Sequence, residues 1–296
     1  MILSDNMRGA VLMNIAMLAF TLNDTAMKAV SSTMPLFQAI TLRGVLTIVV
    51  LFGIASMTAG GFRLWPTGRD RRVIALRSVA EVGGTVLFLG ALVHMPLANL
   101  SAIMQSLPLA VTLTAALVFR DKVGWRRMLA IGIGFGGVML IIRPGSESFD
   151  LWAMMGVGSV ACVVVRDLAT RELSHAVPSV AVAIWAALLV TLMGLIGVAF
   201  QGWLPVTGAE FVMIFGAGAA LIVGYMYVVM VMRVGDIGFV APFRYMALLW
   251  AIMFGWVGFG TLPDFWTLIG SGIVVATGIY TLWRERKLRI AKLEPG

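Results

Sequence analysis

Two apolar runs separated by a short basic turn fill residues 97–144. Each run holds about 20 residues, the length that an α-helix needs to cross the ~30 Å hydrocarbon core of a bilayer. The turn carries four basic residues, Arg120, Lys122, Arg126 and Arg127. Because lysine and arginine resist translocation, the sequence predicts a transmembrane hairpin whose turn lies in the cytoplasm.

The two runs bring different residues into the membrane. The first places Gln105, Ser106 and Pro108 at mid-depth, where polar groups and a helix break are costly unless they line a cavity. The second spaces four glycines so that another helix backbone can approach closely. These are Gly132, Gly134, Gly136 and Gly137. We therefore expect the first run to contribute to a functional cavity and the second to helix packing.

The composition of the whole chain agrees with this hairpin. Hydrophobic residues make up 60% of the 296 residues, charged residues only 12%, and the mean hydropathy is +0.98. A soluble domain of this length could not bury so much apolar surface, so the sequence predicts a polytopic, all-α integral membrane protein. The formal charge of +8 comes from residues in short loops between apolar spans. That placement indicates membrane topology and no nucleic-acid partner.

The apolar pattern predicts ten spans, at residues 8–30, 35–57, 72–94, 97–119, 126–143, 150–170, 178–200, 209–232, 238–258 and 264–283. Sixteen lysines and arginines fall at the N-terminus, in the even-numbered gaps and in the C-terminal tail. Only Lys28 and Arg143 fall in odd-numbered gaps. This bias predicts a multi-pass inner-membrane protein with both termini in the cytoplasm.

The second half of the chain repeats the hydropathy pattern of the first. A shift of 138 residues lays residues 131–134 on 269–272 and Gln105 beside Phe243. We interpret residues 1–145 and 146–296 as two five-helix repeats, the second ending in a short basic cytoplasmic tail. Since five is odd, the repeats cross the membrane in opposite directions. In transporters built from inverted repeats, the substrate site lies near mid-membrane at the repeat interface.

Three long segments carry a resemblance to a known family. They read RGAVLMNIAMLAFTLNDTAMKAV, LPLAVTLTAALVFRDKVGWRRMLAIGIGFGGVMLIIRPG and VAPFRYMALLWAIMFGWVGFGTLPDFWTLIGSGIVVATGIY. Together they resemble the EamA family of the drug/metabolite transporter superfamily. The resemblance implies a ten-helix, two-repeat secondary carrier of small metabolites, without naming the substrate. The family usually has an acidic residue after the fourth span, and Asp121 occupies that position in this sequence. The corresponding position in the second half, near Thr261, is not acidic.

Ionisable residues inside the spans are the candidates for chemistry, because a charge in a span costs ~2.5–3.5 kcal/mol on insertion scales. In span 1, Asp24 and Lys28 are four residues apart and can neutralise one another. The alternative is that Asn23 and Asp24 form a substrate or proton site. In span 3, Glu81 is either the ion-pair partner of Arg77 or a functional carboxylate that couples protons.

Arg244 is the strongest candidate for binding an acid group. It follows Pro242 and precedes Tyr245 in span 9, and a guanidinium binds carboxylate or phosphate bidentately. The alternative is that Arg244 only braces its helix. Gln105 and Tyr245 would add hydrogen bonds to the substrate. Trp185 is one of the deeper aromatic residues, which together can form a partly aromatic cavity wall. The alternative is that each of them faces lipid or packs against another helix.

Motifs that other functions require do not appear in the sequence. No metal-ligand, nucleotide-binding or filter-loop pattern is present, and His94 and His175 lie near opposite membrane faces. A channel and a membrane enzyme are therefore lesser alternatives, and no metal or cofactor is expected. Arg166 and Asp167 near the cytoplasmic end of span 6 mark where that helix leaves the membrane, with a functional role for Arg166 as the alternative.

The balance of charges inside the spans favours one class of cargo. Arginine is the main cation at depth and nearly matches the carboxylates. We expect alternating-access transport of a small zwitterionic or anionic metabolite, such as an amino acid or derivative, or a compound like S-adenosylmethionine or riboflavin. Export of amphipathic or cationic drugs is the alternative. The expected partners are this metabolite, the lipid bilayer and protons as a possible coupling ion, with the chain as a monomer or homodimer.

Overall fold

The computed structural model describes residues 5–56, 68–119, 124–144, 151–174, 177–231 and 237–293. Regular secondary structure within these residues is entirely helical. The α-helices are α1 (Asp5–Val30), α2 (Leu36–Ser56), α3 (Arg69–His94), α4 (Leu97–Met104), α5 (Leu107–Val118), α6 (Trp125–Ile142), α7 (Leu151–Arg171), α8 (Ser179–Gln201), α9 (Gly208–Val231), α10 (Ile237–Val240), α11 (Met246–Phe259) and α12 (Phe265–Leu293). A 3₁₀ helix, Ala241–Tyr245, joins α10 to α11. Arg120, Asp121, Lys122 and His175 lie outside the described residues.

The ten predicted spans are confirmed. Ten segments of the described chain are long and apolar enough to cross a membrane, and their ends agree with the predicted ends to within a few residues. Most are single helices. Span 4 combines α4 with α5, and span 9 combines the 3₁₀ helix with α11.

Both composite spans are interrupted at corresponding positions. The α4 helix ends before Gln105, and α5 begins after Ser106 with Pro108 in its first turn. In span 9 the 3₁₀ helix carries Pro242 at its start, and the shift of 138 residues lays Gln105 within this helix. Proline cannot donate the backbone hydrogen bond that a continuous α-helix needs. The break predicted for span 4 is therefore confirmed, and span 9 repeats it.

The helices cluster by contact into two units, each drawn from both halves of the sequence. The first unit comprises Met1–Thr25, Met95–Val157 and Ala220–Gly296, and the second comprises Ala26–His94 and Gly158–Ala219. Within the first unit α6 packs on α12 and α4 packs on α11, while α2 packs on α8 in the second. These are the fifth, fourth and second spans of the two repeats. The pairing is the one expected of two inverted five-helix repeats.

The α6 and α12 helices run antiparallel and touch along a glycine seam. A Cβ on Gly137 would lie 2.8 Å from the carbonyl oxygen of Gly270, and a Cβ on Gly270 would lie 2.5 Å from the carbonyl oxygen of Gly137. Real Cβ atoms do not approach backbone so closely. Only glycine at both positions allows this contact.

Ion pairs join the same two helices at both ends of the seam. Arg127 pairs with Glu285 at 3.0 Å, and Arg143 pairs with Asp264. Arg143 is also the residue that ends α6, in a left-handed conformation with φ of 50°. These pairs fix the register of α6 against α12.

The prediction that four glycines of span 5 serve packing is right for two of them. Gly134 lies against Leu109 and Thr277, and Gly137 lies against α12. Gly132 and Gly136 have open space beside them within the part of the chain that the structure describes. The spacing of the glycines predicted that another helix approaches span 5 closely. The rotation of α6 about its own axis decides which of these glycines face that helix.

In the second unit, α2 and α8 also pack through small residues. Gly44 lies against Thr191, and Gly194 lies against Thr41. At the end of α8, the Gln38 side chain donates to the carbonyl oxygen of Leu204 at 2.7 Å and accepts from its backbone N–H at 3.0 Å. These bonds give one partner to the Nε2 donor and one to the Oε1 acceptor of a buried carboxamide, as buried polar groups require.

Candidate functional site

Five of the seven predicted site residues belong to the first unit. They are Asn23, Asp24, Gln105, Arg244 and Tyr245. Glu81 and Trp185 belong to the second unit. Each group is described within its own unit.

The polar end of α1 in the first unit centres on Asn23. This side chain is buried and donates from Nδ2 to Oδ1 of Asp24 at 2.9 Å. The bond orients the carboxylate beside it, and Asp24 itself is half-buried. Nearer the start of α1, Asn14 accepts a 2.9 Å hydrogen bond from the indole of Trp250. Asn14 therefore ties α1 to α11, whereas Asn23 and Asp24 form a separate polar pair.

Gln105 occupies the break between α4 and α5. Its side chain is buried, and its backbone N–H donates to the carbonyl oxygen of Ser101. Among the described residues, no protein group forms a hydrogen bond with its carboxamide. A buried amide without protein partners is costly unless water or a ligand supplies them. This is the environment expected of a residue at the wall of a binding cavity.

Arg244 lies in the 3₁₀ helix, and its side chain is exposed. The following helix has a stripe of exposed apolar side chains formed by Leu249, Met253 and Trp256, which is typical of a lipid-facing surface. At about 120° per residue in the 3₁₀ helix and 100° per residue in α11, Arg244 lies roughly 180° around the helix from Leu249. The exposed guanidinium is therefore on a different face from the apolar stripe.

Tyr245, the next residue, has the opposite environment. Its ring is buried, and it fills the space that Gly278 of α12 leaves by having no side chain. The hydroxyl has no hydrogen-bond partner among the described residues. Tyr245 thus anchors the 3₁₀ helix on α12, and its predicted hydrogen bond to substrate stays a prediction.

In the second unit, Glu81 faces two arginines. Arg77 approaches Oε2 at 3.6 Å from one helical turn away, which confirms the predicted pair, and Arg166 of α7 approaches Oε1 at 3.3 Å. Arg166 also binds Asp167 at 2.8 Å, and Arg77 donates to the hydroxyl of Thr170 at 3.0 Å. We name Arg77, Glu81, Arg166 and Asp167 the charge cluster.

The sequence did not predict the contact between Arg166 and Glu81. Sequence indicates that Arg166 and Asp167 mark the exit of span 6 or that Arg166 is functional, whereas in the structure their cluster links α3 to α7. Nothing in local spacing indicates a pair 85 residues apart. The only available signal was the presence of an arginine in one span and a carboxylate in another.

Two further predicted residues lie in the second unit. The Lys28 ammonium donates to the carbonyl oxygens of Leu92 at 2.6 Å and Val93 at 3.4 Å. These carbonyls lie in the last turn of α3, where the helix dipole favours a cation. The pairing of Lys28 with Asp24 stays a prediction. Trp185 is half-buried on α8.

Comparison with known proteins identifies the family. The model of the EamA-like transporter family matches residues 7–143. A riboflavin transporter of Vibrio cholerae is 30% identical over 218 residues, which is 72% of this chain and 72% of that protein. The chain belongs to the EamA-like transporter family. It is therefore a transporter and not an enzyme.

Other relatives of this EamA-like transporter are more distant. An S-adenosylmethionine uptake transporter of Rickettsia felis is 22% identical and covers 71% of this chain and 74% of its own length. A pseudopaline exporter of Pseudomonas aeruginosa is also 22% identical and covers 94% of this chain and 97% of its own length. A solved crystal structure with 16% identity superposes with a TM-score of 0.66 over 94% of this chain and 97% of that one. The superposition supports the fold of this EamA-like transporter.

Proposed function

We propose that this EamA-like transporter is a secondary carrier that moves a small zwitterionic or anionic metabolite across the inner membrane by alternating access. The observation that carries the proposal is the exposed guanidinium of Arg244, which lies in the 3₁₀ helix at the start of an apolar span. An arginine facing lipid there would cost ~2.5–3.5 kcal/mol or more. Its placement away from the apolar stripe of α11 fits a water-filled cavity instead.

An acid group of the cargo would bind Arg244, because a guanidinium presents paired donors that match a carboxylate or phosphate. Gln105 in the same unit would donate or accept a hydrogen bond with its otherwise unpartnered carboxamide. The amine of a zwitterion would meet Asp24, which Asn23 orients. Relatives that transport riboflavin, S-adenosylmethionine and pseudopaline agree with a small metabolite as cargo.

The proposed energy source is a solute gradient. The sequence has no nucleotide-binding motif, so transport would follow an ion gradient, an exchanged solute or simple downhill flow. Of the two predicted coupling carboxylates, Asp24 is the one we assign to protons, because both oxygens of Glu81 face arginines. The relatives include an uptake transporter and an exporter, so either direction is compatible with the fold.

Cytoplasmic termini are part of the proposal. A reporter that is active only in the periplasm should give no signal when fused after Gly296, because sixteen basic residues lie on the side of the termini. The matched fusion after Arg143, between spans 5 and 6, should be active. A strong signal from the fusion at Gly296 would overturn the topology.

Arg244→Ala is expected to weaken metabolite binding by about 10- to 150-fold, since a hydrogen bond to a charged group contributes about 1.5–3 kcal/mol. The measurement is a thermal-shift screen of amino acids, S-adenosylmethionine, riboflavin and monocationic drugs against the purified protein. A ligand that binds the folded state raises the melting temperature by mass action.

Arg8→Ala is the matched control, because Arg8 is an exposed arginine at the start of α1, far along the helix from Asp24. This variant should bind the best ligand as the wild type does. The proposal fails if monocations are the best ligands, or if Arg244→Ala folds normally and keeps full affinity.

A further inference from the structure

A groove of about 470 Å³ runs along the surface of the first unit between α6 and α12. Trp125, Leu129 and Ile133 form its wall on α6, and each of them is more than half exposed. Thr277 and Tyr280 line the groove from α12. The small side chains of Ala130 and Ala276 leave the space between the two walls. The groove is separate from Arg244 and Gln105, neither of which lines it.

The length of the groove matches one leaflet of a bilayer. Trp125 and Ile133 are eight residues apart, which is about 12 Å along a helix axis at 1.5 Å per residue. Half of the ~30 Å hydrocarbon core is about 15 Å. An apolar chain lying in this groove would therefore run from the membrane surface almost to the bilayer centre.

The end of the groove that lies at the start of α6 is basic. The Arg126 guanidinium lies 5.3 Å from the centre of the Trp125 ring. On α12, the Lys287 ammonium lies 5.4 Å from the centre of the Trp283 ring, and that ring in turn packs on Tyr280. Both cations are thus held by aromatic rings beside or just beyond the groove.

Within the part of the chain that the structure describes, other charges at this end do not cancel these cations. Glu285 is the nearby carboxylate on α12, and it pairs with Arg127 at 3.0 Å. The helix α6 begins after Gly124, which has no side chain to cap its first N–H groups. The start of a helix carries a partial positive charge and binds phosphate readily. Arg126 and the start of α6 therefore attract an anion.

We propose that this groove binds one anionic glycerophospholipid, with an acyl chain along Leu129 and Ile133 and the phosphate at Arg126 and Lys287. The apolar part of the groove is long enough for an acyl chain, and the basic end of the groove is complementary to a negatively charged head group. A soluble phosphate compound has no tail to fill the groove, and a zwitterionic lipid has no net charge to offset the two cations. Basic pockets between helices at a membrane surface recognise anionic head groups in this way.

The test is native mass spectrometry of the full-length protein in detergent with added phosphatidylglycerol. Arg126→Gln should weaken binding about fivefold, the effect of one basic residue at an anionic surface. Ala276→Trp, at an exposed position inside the groove, should reduce binding at least as much by filling the space for the tail. Arg8→Gln removes the same charge elsewhere and should leave the affinity unchanged.

Several outcomes would overturn the proposal. Equal binding of phosphatidylcholine would show that the head group is not recognised. Competition by glycerol 3-phosphate at the same concentration would show a phosphate site without a tail. An equal loss in Arg8→Gln would show a diffuse charge effect. Conversion of a dimer to a monomer by Ala276→Trp would show that a second copy of the chain, and no lipid, covers the groove.

Discussion

Gly270→Ala is expected to lower the free energy of unfolding by about 2–3 kcal/mol, the upper part of the usual range of about 1–3 kcal/mol for extra atoms forced into a packed interface. The new Cβ would lie 2.5 Å from the carbonyl oxygen of Gly137 and 2.7 Å from the side chain of Ile141. A backbone oxygen cannot rotate aside, so α6 and α12 must separate. Separation would also strain the ion pairs at the ends of the seam, Arg127–Glu285 and Arg143–Asp264.

Gly272→Ala is the matched control on the same helix, two residues away. Within the described part of the chain nothing lies within 4 Å of its Cβ position. Alanine is favoured over glycine in a helix by about 1 kcal/mol, so this variant should equal or exceed the wild type in stability. Reversible unfolding by SDS in mixed micelles measures both. If the two variants unfold alike, the contact between Gly137 and Gly270 does not hold these helices together.

The spans could be predicted from sequence because the bilayer imposes their length and composition. The break in span 4 was predictable for the same reason, since Pro108 and the polar Gln105 are costly inside a continuous apolar helix. The grouping of helices was not predictable in this way. A close approach requires glycine, but only helix rotation distinguishes Gly137, which touches α12, from Gly136, which has open space beside it.

The same limit applies to the candidate site. Arg244 and Tyr245 are adjacent in sequence, and both are predicted from sequence to contact the substrate. In the structure one side chain is exposed and the other is buried against Gly278, because neighbouring residues of a 3₁₀ helix point about 120° apart. Sequence therefore identified the segment that carries the site, whereas the direction of each side chain required the structure.

The charge cluster shows a further limit, because its members come from two helices far apart in the chain. Its identification changes the interpretation of Glu81. From sequence, this carboxylate was equally an ion-pair partner or a proton-coupling group. With Arg77 at 3.6 Å and Arg166 at 3.3 Å, we infer that its main role is to join α3 to α7.

Glu81→Gln is expected to lower the free energy of unfolding by about 3 kcal/mol, near the lower end of the range for removing one partner of a buried ion pair. The Glu81 side chain is only 16% exposed, and its loss leaves two arginines with a single carboxylate between them. Asp167→Asn is the control, because Asp167 is 36% exposed and exposed pairs contribute about 1 kcal/mol or less. Equal effects of the two variants would contradict the assigned role of Glu81.

A transport assay distinguishes this structural role of Glu81 from a role in proton coupling. In liposomes with a pH gradient, folded Glu81→Gln protein should respond to the gradient as the wild type does, since the cluster would act through structure alone. Asp24→Asn should lose the response if Asp24 carries the coupled proton, as we propose from its position beside Asn23. If the Glu81→Gln variant is as stable as the wild type but does not respond to the pH gradient, then Glu81 carries the coupled proton. Such a result would make the two arginines part of the transport cycle rather than a fixed link between helices.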